Sequence, residues 1–230
     1  MCGEERISGI RRAQRLAGQA VSLLERRLRV GMTERQAAAE LREICMRIPG
    51  VDRALTDMVI SGPNSAGYHH FASDRVMGEG ELILIDFSVV AGGWYSDMTR
   101  MFSFGDPGPE AGQICGVVAE AKARAAAAAY PGVPASLLHR TAAEVIEAHG
   151  YGAYFPHGLG HGIGREMHEE PRLNGESQAR LTPGTVFSIE PGIYLPGRFG
   201  ARLEDLYYMG GEELVCLSES PAALKILPVK

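Results

Sequence analysis

The chain has 230 residues, 45% of them apolar and 22% charged, with a formal net charge of −5. That length fits one domain, and that apolar share is enough for a sizeable core. The acidic balance argues against nucleic acid or an anionic membrane surface as partner, no stretch is apolar for the length of a membrane span, and the charged start Met1-Cys-Gly-Glu-Glu-Arg shows no signal sequence, so a cytoplasmic compartment is expected.

Ile10, Leu16, Val21, Leu24 and Leu28 recur near helical spacing, which predicts a helix over residues 5–29 that Gly31 stops. Thr33 is placed as N-cap of a second helix running through Met46, with Gln36 at the capping-box position. Strand text from about Asp57 to Ser61 leads into the turn Gly62-Pro63-Asn64. Glu81–Val90 and Trp94–Phe104 read as two strands around Ala91-Gly92-Gly93. Asp106-Pro-Gly-Pro109 then breaks the chain before an Ala-rich helix over about 110–129, and another helix follows to His149. Gly31 and Gly132 each join two helices. The order helix, glycine turn, helix, strands therefore occurs twice, which predicts two related halves in one α+β unit. Cys2, Cys45, Cys115 and Cys216 form no CxxC pair and read as reduced thiols; Cys45 and Cys115 fall on apolar helical text, where thiols are usually inert.

Four carboxylates interrupt this text, three of them in strongly apolar surroundings: Leu-Ile-Leu-Ile-Asp86-Phe, Val-Phe-Ser-Ile-Glu190-Pro and Ala-Arg-Leu-Glu204-Asp-Leu. An ionised carboxylate is rarely buried without a partner, so a convergent set needs positive charge, for which metal ions are the natural source. If Ala91-Gly92 is a two-residue turn, Asp86 and Asp97 oppose each other across a hairpin, with Cβ atoms roughly 5 Å apart. Glu190 and Glu204 repeat the pattern around Gly197. His157, His161 and His168 cluster beside Gly-rich text, which favours function over a structural role. The run His168-Glu-Glu-Pro-Arg172 is not HExxH, so a helical mononuclear zinc protease is ruled out. His69-His70 leave a turn-rich loop and suit proton transfer as well as a bland surface role. His139 and His149 sit on plain helix.

Taken in order, several blocks resemble the pita-bread metallopeptidases: Ser-Gly-Pro-Asn-Ser-Ala…His69, Ile-Asp86-Phe, Ser-Asp97-Met-Thr-Arg100, His157-Gly-Leu-Gly-His161-Gly-Ile-Gly, His168-Glu-Glu-Pro, Ile-Glu190-Pro-Gly-Ile-Tyr194 and Arg202-Leu-Glu204-Asp. That family includes methionine aminopeptidase, aminopeptidase P and prolidase, with creatinase as a non-peptidase relative. The likeness runs from about residue 5 to 225. It implies two pseudo-symmetric halves, each with two helices on a curved, mostly antiparallel sheet. It also implies that Asp86, Asp97, His161, Glu190 and Glu204 bind two divalent metal ions (Mn, Co, Fe or Zn). Asp97 and Glu204 would bridge them, Asp86 would complete one coordination sphere, and His161 and Glu190 the other.

His69 and His168 match histidines on the substrate side, and Glu190 is the candidate proton shuttle. His157 and Arg202 match positions that the proline-specific branch uses around its substrate. The implied activity is hydrolysis of an amide bond near the N-terminus of a small peptide, of Xaa-Pro dipeptidase or aminopeptidase type. The proline-specific enzymes usually carry a further N-terminal domain, whereas residues 1–230 are expected to form a single catalytic domain, as monomer or homodimer. Tyr68 stands where that branch usually has proline. Methionine aminopeptidase-like activity and creatinase-like cleavage of a small C–N bond stay open as alternatives. A binding pseudo-enzyme is a third, against which all five ligands being retained argues.

Overall fold

The computed structural model describes residues 3–229, so Cys2 lies outside the described residues. The chain opens with two helices, α1 (Gly3–Leu24) and α2 (Glu34–Arg47). The helix expected through residue 29 ends at Leu24, and hydrogen-bonded turns carry the chain on, with Leu28 N–H donating to the Leu24 carbonyl at 2.9 Å and Leu28 still buried. The capping box is present: the Thr33 side chain accepts from Gln36 N–H at 3.1 Å, and the Gln36 side chain accepts from Thr33 N–H at 2.9 Å. Gly31 between them takes φ 89° and its counterpart Gly132 takes 88°, a left-handed conformation that favours glycine.

The first half continues with β1 (Arg53–Ser61), β2 (Leu82–Ala91), β3 (Trp94–Tyr95) and β4 (Met98–Phe104). In the second half α3 (Pro109–Ala127), β5 (Val133–Pro134) and α4 (Ala135–Ala148) precede β6 (Gly160–Gly162), β7 (Glu169–Leu173), β8 (Arg180–Leu181) and β9 (Val186–Ile189). The chain closes with β10 (Gly192–Leu195), β11 (Phe199–Arg202), β12 (Asp205–Met209), β13 (Leu214–Cys216) and β14 (Lys225–Leu227). One sheet runs β1-β2-β4-β14 with β3 beside β2, and a second runs β13-β12-β9-β6-β7. The ribbon β10-β11 lies against the turn at 62–66 of the first half. The last strand, β14, returns to pair in parallel with β4, so the second half ends inside the sheet of the first.

β2 shows why the carboxylates looked out of place. Ile83, Ile85 and Phe87 face the core beneath α1 and α2, while Leu82 and Leu84 face a second core shared with α3, α4 and the other sheet. A strand buried on both faces reads as continuous apolar sequence. Asp86 follows the alternation of Leu82 and Leu84 and therefore points between the two halves.

The register of the first hairpin differs from expectation. Gly92-Gly93, not Ala91-Gly92, forms the two-residue turn, with Ala91 paired to Trp94. Their φ angles are 59° and 75°. A primed turn needs positive φ at both central residues, which Gly-Gly supplies and Ala91 would not. Asp86 therefore opposes Thr99 rather than Asp97. A shift of two residues keeps each side chain on its face, so Asp97 remains a diagonal neighbour of Asp86. The second hairpin has the expected register: Ile189 pairs Asp205 on one side and Gly192 pairs Arg202 on the other, which sets Glu190 opposite Glu204 where the chain changes sheets.

The halves are also joined by buried charge. Asp205 on β12 accepts from Arg100 on β4 at 2.8 Å and from Lys122 on α3. Removing one member of a buried ion cluster leaves the others uncompensated. Asp205→Ala is expected to lower unfolding free energy by about 3–5 kcal/mol, read from urea denaturation at constant m-value.

Candidate metal centre

Asp86, Asp97, His161, Glu190 and Glu204 line one cavity of about 330 Å³ between the halves, together with His69, His157, His168 and Arg202. The nine residues that the resemblance assigned to the site are thus brought together, whereas His70, next to His69, is exposed and does not line the cavity. Ligand-type atoms of Asp97, His161 and Glu204 all lie within 4.8 Å of one another. The His161 Nε2 is 3.3 Å from Glu190 Oε1 and 3.6 Å from Asp97 Oδ2.

Each ligand is held from behind. The Gln14 side chain on α1 pairs with both backbone groups of Asp97, donating to its carbonyl at 2.8 Å and accepting from its N–H at 3.1 Å. His161 sits on β6, its own N–H donating to Ser188 Oγ at 3.0 Å, while that hydroxyl donates to Glu190 Oε1 at 3.0 Å. The His161 Nδ1–H donates to the Gly162 carbonyl at 3.0 Å, which leaves Nε2 aimed at the carboxylates. The Thr99 hydroxyl lies 2.8 Å from Glu204 Oε2 and 3.1 Å from Asp86 Oδ2, linking the two carboxylates.

The electrostatics call for cations. Burial pushes the Asp97 carboxyl well up, reinforced by Asp86 and Glu190; burial does the same to Glu204, reinforced by Asp97 and Glu190. Burial opposes charge on His161, but the hydrogen bond and charge of Glu190 and the charge of Asp97 outweigh it and raise its pKa to about 9. Glu190 is likewise resisted by burial, yet the His161 contact and Arg202 hold it at about 2. Glu204 Oε1 is buried and has no hydrogen-bond partner among the described residues. An orphaned carboxylate oxygen, crowded acids and an imidazole nitrogen facing them make a donor set that fits hard or borderline divalent cations.

Arg202 is buried and committed to its neighbours. Its guanidinium pairs with Asp86, donates to Tyr194 Oη at 2.8 Å and to Thr99 Oγ1 at 3.1 Å. The Tyr194 hydroxyl in turn meets His157 Nε2 at 2.9 Å, while His157 Nδ1–H donates to the Gly158 carbonyl at 2.7 Å. Burial pushes the His157 pKa down, in keeping with a neutral ring that donates at Nδ1 and accepts at Nε2. The His168 ring packs edge-on against His161, with ring centroids 4.3 Å apart, and burial followed by that neighbour's charge pushes its pKa down.

Sequence reasoning missed Gln14, Thr99, Ser188, Tyr194 and Arg172. Thr99 carried a usable signal, two residues beyond Asp97 on an alternating strand; Gln14, Ser188 and Tyr194 each meet at least one partner far off in the chain, Asp97, His161 and His157 respectively. Arg172 lines the cavity from β7, across from His161, and its guanidinium has no carboxylate partner among the described residues. Away from the site, burial raises the thiols of Cys45 and Cys115 to about 12, which agrees with inert thiols. Among the described residues, Cys45, Cys115 and Cys216 form no disulfide.

A cation that binds only the folded chain stabilises it by mass action, about 2.7 kcal/mol at a hundred times its dissociation constant. Mn²⁺ or Co²⁺ is expected to raise the melting temperature of chelator-treated protein in a concentration-dependent way. Asp97→Asn is expected to abolish that rise without lowering the melting temperature of the metal-free protein.

The chain matches the model of metallopeptidase family M24 over residues 8–210. It is 39% identical over 203 residues to the Xaa-Pro dipeptidase of Pyrococcus furiosus, covering 88% of this chain and 58% of that protein. It is 37% identical over 222 residues to the probable dipeptidase PepE of Mycobacterium tuberculosis, covering 94% of this chain and 59% of that protein. Its structure superposes on that of the X-Pro aminopeptidase of Thermotoga maritima with a TM-score of 0.94 at 36% identity, covering 97% of this chain and 63% of that one. The chain thus spans less than two thirds of the length of these relatives. With the two-half α+β architecture expected of the pita-bread fold and a ligand set that suits metal, the chain belongs to metallopeptidase family M24.

Proposed function

We propose that this chain is a metallo-exopeptidase that uses two divalent cations to hydrolyse the amide bond near the N-terminus of short peptides of the Xaa-Pro type. The observation that carries the reading is the convergence of four carboxylates and one imidazole in a buried cavity, with a carboxylate oxygen left unpaired. Asp86, Asp97, His161, Glu190 and Glu204 would hold the cations. Mn²⁺ is our choice among Mn, Co, Fe and Zn because oxygen donors dominate. Bound there, the cations would lower the pKa of water and polarise the scissile carbonyl.

The chain's own residues supply the rest. Glu190 Oε1, which faces the cavity and is anchored by Ser188, is placed to take a proton from the attacking water and pass it to the leaving amine. His69 and His168 line the same cavity and would donate hydrogen bonds to the substrate carbonyl and to the charge that develops on it. The chain Arg202–Tyr194–His157 fixes one wall rigidly. Arg172 suits the terminal carboxylate of a short substrate, since its guanidinium is unspent and can bind bidentately. The names of the relatives, Xaa-Pro dipeptidase and X-Pro aminopeptidase, support proline at the second position. Unpaired cysteines favour a cytoplasmic, reducing compartment. Residues 3–229 would act as one catalytic domain, because both halves contribute ligands to a single site; no helix of the described residues is long and apolar enough to cross a membrane.

A panel of Xaa-Pro dipeptides, longer Xaa-Pro peptides and N-terminal Met peptides, assayed with Mn²⁺ or Co²⁺, tests this reading; turnover of none of them would overturn it. Asp97→Ala is expected to lose bound metal and activity together, whereas His69→Ala keeps its metal, by elemental analysis, and loses turnover. Charge-assisted hydrogen bonds contribute about 1.5–3 kcal/mol. Arg172→Ala should therefore raise KM for dipeptides by about ten- to a hundredfold, while KM for the corresponding dipeptide amides stays nearly unchanged.

A further inference from the structure

Glu34 is fully buried and makes no direct ion pair among the described residues. It stands at the first position of α2, remote from the proposed metal ligands in sequence. Burying a carboxylate without compensation is costly, and the direct compensation here is a set of hydrogen-bond donors from one loop, with the Arg75 guanidinium behind them donating to Ser61 Oγ at 2.8 Å. The Oε1 atom accepts from Ser61 N–H at 2.7 Å and from Ser61 Oγ at 3.0 Å. The Oε2 atom accepts from Ser73 N–H at 3.0 Å and from Ser73 Oγ at 2.7 Å. Between them, Asn64 Nδ2 donates to both oxygens, at 3.1 and 2.9 Å. One carboxylate thus holds both ends of the loop from Ser61 to Ser73. That loop carries Tyr68 and His69 to the cavity.

The middle of the loop is pinned from the other half. Ser65 Oγ accepts from Gly200 N–H on β11 at 2.8 Å, and a Cβ at Gly200 would come within 2.3 Å of the Ser65 carbonyl oxygen. Beyond Ser65, Tyr68 and His69 have a single polar tie to the rest of the site among the described residues, a 3.4 Å contact from Arg202 to the Tyr68 carbonyl, and the Tyr68 ring packs on those of His157 and Tyr194, with centroids 5.6 Å apart in both pairs. The exposed His69 has no such packing on the far wall, so its placement depends strongly on how the loop ends are held.

The pseudo-symmetric half separates this task from helix docking. Ala135 occupies the place of Glu34, three residues beyond the matching glycine. Both make the same backbone bond, Glu34 N–H to the Arg75 carbonyl at 3.0 Å and Ala135 N–H to the Ala179 carbonyl at 2.9 Å. The helix of the second half is therefore seated without a carboxylate at this position, although loops of that half also bring His157 and His168 to the cavity. In the first half the carboxylate is spent on the loop that carries His69.

We propose that Glu34 is a positioning residue for catalysis: it clamps the loop 61–73 so that His69 is held against the substrate. The proposal rests on the role given above to His69, and the experiment reads the two separately. Hydrogen exchange of the Mn²⁺-loaded protein, which needs no activity, should show Glu34→Gln accelerating exchange across 61–75 and leaving the two sheets unchanged. Misplacement by about 1 Å costs up to a hundredfold in rate, so kcat on an Xaa-Pro dipeptide should fall about tenfold or more, with KM within about threefold and metal content intact. In a His69→Ala background the same substitution should change kcat by less than about twofold, because the two act as a unit. Asn64→Ala and Ser73→Ala, which each remove donors and leave α2 untouched, should give smaller shifts in the same direction and serve if Glu34→Gln does not fold. Unchanged exchange, a near-normal kcat in Glu34→Gln, or a loss that adds in full to that of His69→Ala would overturn the clamp. If His69→Ala itself keeps normal turnover, the role of His69 fails and the catalytic part of the proposal with it, while exchange still decides whether Glu34 holds the loop.

Discussion

The structure depends on the mutual repulsion of four carboxylates that the fold forces into one buried cavity. Asp86 and Asp97 come from the sheet of the first half, Glu190 and Glu204 from the second, and among the described residues only Arg202 and His161 bring positive charge into direct contact with them. Protonation can relieve part of the strain, as the raised Asp97 and Glu204 show. Cations bound there would relieve it more fully, and the Glu204 oxygen without a hydrogen-bond partner among the described residues would be open to them. The site is thus an electrostatic deficit built by the packing of two half-domains, and its chemistry follows from what fills the deficit.

The rest of the architecture holds that deficit in place. Gln14 reaches from α1 to fix the backbone of Asp97, Thr99 links Asp86 to Glu204, and Ser188 links His161 to Glu190. The Asp205 cluster ties β4, α3 and β12 directly behind Glu204. These supports come from both halves, so no half could assemble the site alone. The loop bearing His69 is tied at both ends through Glu34 and at its middle through Ser65, so the carboxylate of Glu34 gathers two of its three anchor points.

The carboxylates that converge on the cavity were legible because they break local rules: a carboxylate in a strand buried on both faces has no structural excuse. The capping box at Thr33 and the paired glycines at 31 and 132 were legible because helix caps and left-handed turns depend on a few adjacent residues. The hairpin register was not, because Ala91-Gly92 and Gly92-Gly93 differ only in which pair can adopt two positive φ angles. The supporting residues were invisible for a different reason. Gln14, Ser188 and Tyr194 are ordinary polar residues until a distant strand or loop is brought against them.

By itself the sequence determined the candidate donor set, the two-half order of elements and the family, since each rests on residue type and local spacing. Only the tertiary structure decided which groups share the cavity, that Arg202 is spent on Asp86 while Arg172 has no carboxylate partner among the described residues, and that Glu34 binds the loop carrying His69. The physical reason is that charge compensation in a buried site is non-local. It is set by what meets across the two halves, over separations in the chain that no local pattern records.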